Sequence, residues 1–250
     1  MTKIGDWDVL NIQMAWFSAD ARRHSAADLY TKFVGEGPDA FQSNKNLAQP
    51  APFLSSASGI YDGLSYNFIV QASRVDLQVQ QEQNPEINTA PIKDPVGVIK
   101  MLTETAGIIA NTLNSINRLA LVTTVFHPTD NQPAANEIAA QLMGIKLKSN
   151  DVTDFAMQLN SRMPLDVGPT QMNRFLKIGV LSFQTVVFDV AQGIAMPQNV
   201  QEYAATVAID VNTVPVLQPL TADLQSTIWG ALASETLRLR AVGDLNGLWK

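Results

Sequence analysis

The chain has no cysteine and only two histidines, His24 and His127. Without cysteine there is no thiolate nucleophile, no disulfide framework, no cysteine-ligated zinc and no iron–sulfur cluster. Two histidines leave little for imidazole acid–base chemistry or a multi-histidine metal site. Charge is also sparse. Only 16% of the 250 residues are charged, and 23 acidic side chains against 17 basic ones give a formal net charge of −6. That balance disfavours attraction to nucleic acid or anionic lipid. No apolar run approaches the ~18 residues that span a bilayer. The start, Met1-Thr-Lys-Ile-Gly-Asp, lacks the apolar core of a signal peptide, so a cytoplasmic location is expected. No phosphate-loop, dinucleotide or nucleophile-elbow motif is present.

What remains is a globular composition, 46% hydrophobic with 14 Gly and 13 Pro, which excludes disordered and collagen-like classes. Trp7–Phe17 alternates apolar and polar residues, which predicts a strand. Ser25 then caps a short helix bearing Leu29, Tyr30 and Phe33, and Gly35 suits its left-handed end. Glu36–Pro52 is rich in Pro, Asn, Gln and Gly and predicts a loop. Asp62-Gly63 marks a tight hairpin between Phe53–Tyr61 and Leu64–Ala72, with a third strand at Val75–Val79. Asp94-Pro95 opens a helix whose apolar spacing runs through Ile116. Leu119–Val125 alternates as a strand, and Pro133 starts a helix ended by Gly144. Strands follow at Phe155–Leu159, Phe175–Leu181, Phe183–Val190, with a break at Ser182, and Tyr203–Val211. A last helix is capped by Thr221, and Trp249 lies in the tail beyond it.

This order repeats. At a constant offset of 109 residues Leu10 falls on Leu119, Ile12 on Leu121, Phe33 on Leu142, Gly35 on Gly144, Ile69 on Ile178, Ser73 on Ser182 and Leu77 on Val186. The expected fold is therefore α+β. It comprises two similar β-α-β-β-β-α units, 1–117 and 118–250, each a small, mainly antiparallel sheet with helices on one face, related by an internal pseudo-twofold. The second unit carries an additional strand near 203–213.

Candidate binding residues cluster in the loops that follow the first strand of each unit: Asp20, Arg22 and His24, then His127 and Asp130. Carboxylates and imidazoles brought together across a pseudo-twofold would suit a cation or a small polar ligand. Ser55–Gly59, small and hydroxyl-rich, resembles a phosphate cradle only superficially, and reads better as a strand. Arg238 and Arg240 suit the negative end of the last helix, and Trp7, Trp16 and Trp229 suit the core. No catalytic residue, cofactor or metal is expected. The sequence points to a non-enzymatic interaction or assembly protein that binds a protein partner or self-associates through strand edges and loops. The alternative is a small-molecule or metal-ion sensor with a pocket at the seam between units, lined by the five loop residues.

Overall fold

The structure is a computed structural model that describes residues 3–44, 53–82, 90–148, 151–168, 171–191 and 194–242, of which 184–191, 194–200 and 242 are described by backbone alone. The strands are β1 (Asp8–Ser18), β2 (Ala40–Ser43), β3 (Ser55–Tyr61), β4 (Leu64–Gln71), β5 (Arg74–Gln81), β6 (Ile116–Thr129), β7 (Met157–Pro164), β8 (Gln171–Ala191) and β9 (Ile194–Thr213). The helices are α1 (Ala26–Val34), α2 (Pro95–Thr105), the short α3 (Gly107–Ala110), α4 (Gln132–Gln141) and α5 (Ala222–Val242). All nine strands form one antiparallel sheet in the order β2-β3-β4-β5-β1-β6-β9-β8-β7. The chain is thus of mixed α+β class. Two separate small sheets do not form, because β1 and β6 lie side by side along Asp8–Ser18 and Ile116–Phe126.

Local chemistry sets many boundaries. Ser25 accepts a hydrogen bond from the Ala27 N–H at the start of α1, and Gly35 closes it at φ +91°. Asp62 and Gly63 both have positive φ, the twist that a two-residue hairpin needs. Asp94 accepts from Gly97 at α2, and Thr221 from Leu224 at α5. Gly144 follows α4 at φ +67°.

The core lies on one face of the sheet. Strand alternation puts Ile12, Met14 and Trp16 of β1 and Leu119, Leu121 and Val125 of β6 there, all fully buried. Trp16 meets Trp229 of α5 edge-on at 5.3 Å, and Phe68 of β4 meets Tyr30 and Phe33 of α1. Trp7, Trp16 and Trp229 are core residues, as expected; Trp249 lies outside the described residues. At Gly59 of β3 an added Cβ would collide with the Tyr30 hydroxyl, so this glycine lets α1 lie against the strand.

Several expectations need correction. The interval 36–52, expected to be loop, contains edge strand β2; residues 45–52 lie outside the described set. The helix expected over 94–117 breaks at Ala106 and ends at Ala110. Ile109, Leu113 and Ile116 are all buried, but from α3, a turn and β6, so helical spacing alone could not locate the end. Ser182 interrupts nothing: it pairs with Tyr203 inside a continuous β8. The strand expected near 203–213 starts at Ile194 and lies inside the sheet, between β6 and β8. The constant offset fails in the meanders. Ile69 lies half-buried while Ile178 is fully buried, a one-residue slip that exchanges the two faces of a strand.

Candidate functional site

The antiparallel border between β1 and β6 decides where the loop candidates go. Asp20 and His24 follow the end of β1, beside the start of β6, where Ser18 pairs with Ile116. His127 and Asp130 lie at the far end of β6, beside the start of β1, where Asp8 pairs with Phe126. Ten residues of strand, about 33 Å at ~3.3 Å per residue, separate the two groups. The five residues therefore do not line one cavity at the seam. The same antiparallel pairing that would relate two halves sends their matching loops to opposite ends.

Each candidate has local company. Asp20 accepts hydrogen bonds from the hydroxyls of Ser18 and Ser115 and from the Asn114 N–H at 3.1 Å, with His24 Nε2 at 3.8 Å. Burial opposes its charge, but these donors and His24 outweigh it and lower the carboxyl to about 2. Asp20 fastens the end of β1 to the α3–β6 turn. Arg22 is exposed in the turn Ala21–Arg23. His127 stacks on Trp7 with ring centroids 5.6 Å apart, and Asp130 is exposed. No group of three potential metal ligands forms among the described residues. Ser55 of the suspected cradle lies on β3, where its hydroxyl accepts from the Ala26 N–H and so satisfies the buried start of α1.

The charged groups that the sheet does bring together lie on its other face, which carries no helix among the described residues. Phe17 of β1 sits between two guanidinium groups, Arg74 of β5 at 4.9 Å and Arg118 of β6 at 4.6 Å from its ring centroid. Arg74 is neutralised by Asp76, which is 2% exposed and also accepts from Gln13 and Gln71. Arg118 donates to Asn212 of β9 at 3.0 Å. Asn212 accepts from Asn173 of β8, which in turn accepts from Arg162 of β7, so one hydrogen-bonded line crosses four strands. Asn212 also donates to Asp210, whose carboxyl is pushed up by burial against the opposing pull of Asn212, Arg118 and Arg74. The sequence hid this network because its members are spread from Gln13 to Asn212. Asp76, Gln78 and Gln80 alternate with apolar residues along β5 and mark a wet face there, but β8 reads as apolar and β-rich, so nothing in the sequence joined the two sides of this face.

A second feature is the length of β8 and β9. β7 pairs with β8 only as far as Ile178, and β6 pairs with β9 only as far as Tyr203. Among the described residues the two strands continue, paired only with each other, from Phe183–Glu202 to Ala191–Ile194. This two-stranded arm of nine residue pairs, about 30 Å at ~3.3 Å per residue, extends beyond the body of the sheet.

No family model, curated protein or solved structure matches the chain.

Proposed function

We propose that the chain is a non-enzymatic interaction or assembly protein that joins a protein partner or a second copy of itself through strand edges. The observation that carries this reading is the β8–β9 arm. A hairpin with no third strand is marginal in water, and its unpaired backbone groups are a template for another strand. The β8 half of the arm, Phe183-Gln-Thr-Val-Val-Phe-Asp-Val-Ala191, is two-thirds apolar, with Val186-Val187-Phe188 uninterrupted, a composition rich in strand formers. Its two edges differ. β9 has Pro197, which lacks a donor, whereas β8 offers Gly179–Ala191 without proline.

We also infer that the chain arose from two copies of one β-α-β-β-β-α unit, 1–117 and 118–250. Support comes from strand order: β3-β4-β5-β1 on one side of the β1–β6 border and β7-β8-β9-β6 on the other. By that order β9 matches β5, so the second unit has no extra strand; the two differ in the edge strand β2 of the first and the long hairpin of the second.

The test replaces residues 184–201 with a two-residue Asn-Gly turn and measures mass in solution by light scattering, with pull-down from lysate. The full chain should associate with itself or retain a partner, and the shortened chain should do neither while keeping its melting temperature. A full chain that stays monomeric and retains nothing contradicts the proposal.

A further inference from the structure

We propose that the helix-free face of the sheet between β6 and β8 carries a trough for a small amphipathic carboxylate, its head at Arg118 and Lys177 and its apolar chain along Gly179 and Ala208. Two adjoining hollows make up the trough. One, of about 290 Å³, is bounded by Arg118, Phe175, Lys177 and Asp210; the other, of about 410 Å³, by Thr124, Phe155, Gly179, Leu181, Thr206 and Ala208. Lys177 and Ala208 belong to both, so the hollows adjoin. Together they fall in the size range of sites for small organic ligands.

The floor is made of small residues in register. Thr124 pairs with Ala208, Ala208 with Lys177, and Thr206 with Gly179. Gly179 is the informative one. It sits inside the long strand β8, outside any turn and without a positive φ, so backbone geometry does not demand glycine. Nor does crowding: an added Cβ would find its nearest atoms at 3.8 Å, the Phe155 carbonyl oxygen, and 4.0 Å, the Thr206 hydroxyl. A Cβ there would make only ordinary van der Waals contact, so glycine leaves the β8 backbone bare beside the Phe155 carbonyl and the Thr206 hydroxyl, and a larger side chain would occupy the hollow.

Charge selects the head group. Lys177 is exposed and forms no ion pair or hydrogen bond among the described residues, whereas Arg118 bonds Asn212, sits on Phe17 and faces the charge of Asp210, so Lys177 brings the uncommitted charge. Asp210 is the single carboxylate lining the head end, so this end is net positive on a chain of net charge −6. A planar carboxylate suits a guanidinium and an ammonium side by side. Beyond Lys177 the lining turns to Gly179, Ala208, Leu181 and Phe155, with the exposed carboxylate of Asp154 beside them, which suits a hydrocarbon chain and repels a second carboxylate. The trough lies on the sheet body and does not depend on the arm.

Calorimetric titration of the purified full chain with octanoate, octanol and acetate tests the proposal. Octanoate is expected to bind at least ~10-fold more tightly than either octanol, which has the tail alone, or acetate, which has the head alone. Lys177→Gln, at an exposed position, is expected to weaken octanoate by ~5-fold or more. Gly179→Leu fills the trough and is expected to abolish binding, with unchanged circular dichroism and melting temperature showing an intact fold. If Gly179→Leu disturbs the fold, Lys177→Gln and the comparison of the three probes still decide. No binding of octanoate at millimolar concentration overturns the proposal, as does equal binding of octanol, undiminished binding to Lys177→Gln, or binding that survives in a folded Gly179→Leu.

Discussion

Asp20 shows how a residue that looks like a ligand can serve as a fastener. Its carboxylate collects three donors, two of them from Asn114 and Ser115, nearly a hundred residues away in the chain. Replacing it by alanine leaves those groups short of an acceptor and should cost about 1–3 kcal/mol of stability at neutral pH. The pH dependence follows from the lowered carboxyl. A folded value of about 2 against an ordinary 3.8 means that the ionised group stabilises the fold above about pH 4. That contribution declines as pH falls through the interval between the two values. Urea unfolding at pH 7, 4 and 2.5 should show a steeper acid loss for the native chain than for Asp20→Ala; parallel losses would contradict this role. Local chemistry at this scale was legible: Ser25, Gly35, Asp62-Gly63 and Asp94 act on neighbours within a few residues. The role of Asp20 was not, because its partners are fixed by the β1–β6 pairing and not by spacing.

Between elements, the contact of β8 with α5 rests on an ionic group inside the core. Arg174 is 8% exposed and lies 3.3 Å from Glu235, which also takes two bonds from Arg238, one turn further along the helix. Burial opposes the charge of Glu235, but the two guanidinium groups outweigh it and hold its carboxyl below the ordinary range. Glu235→Ala strands the Arg174 charge in the interior and should cost about 3–5 kcal/mol, whereas Arg238→Ala, removing a partly exposed partner, should cost less. Denaturant midpoints of the two variants check the order, and equal losses would mean that Arg174 is solvated. Arg238 had been expected to serve the end of the helix; its carboxylate partner on the same helix takes it instead. Strands and helices were legible wherever apolar residues kept one period between clear stops. They were misread where burial continued through a change of element, as at Ala106–Ile116, and where a polar residue stood inside a strand, as at Ser182.

At the scale of the whole molecule, each of β1 and β6 has a hydrogen-bonded neighbour on both sides, while among the described residues the distal arm has an open edge on each of its strands. Amide hydrogen exchange should therefore be slowest in β1 and β6. Alternate amides of β8 between Gly179 and Ala191 should exchange fast in dilute protein and slow as concentration rises or a partner is added. Uniform protection along β8 in dilute protein would show that the arm is already covered. The α+β class, and most of the strands in the two proposed parts, could be read from the chain. That the parts would share one sheet could not, since nothing in an alternating strand says which side its neighbour will occupy.

The central position of β1 also sets a problem for synthesis. The first 81 residues suffice to line up β3, β4, β5 and β1, but β1's second edge finds its partner only when the segment ending at Thr129 has left the ribosome. At ~5–20 residues per second that wait lasts a few seconds. During it the nascent chain displays Val9–Trp16 as a bare, largely apolar border, which makes this the stage of its life most in need of a chaperone.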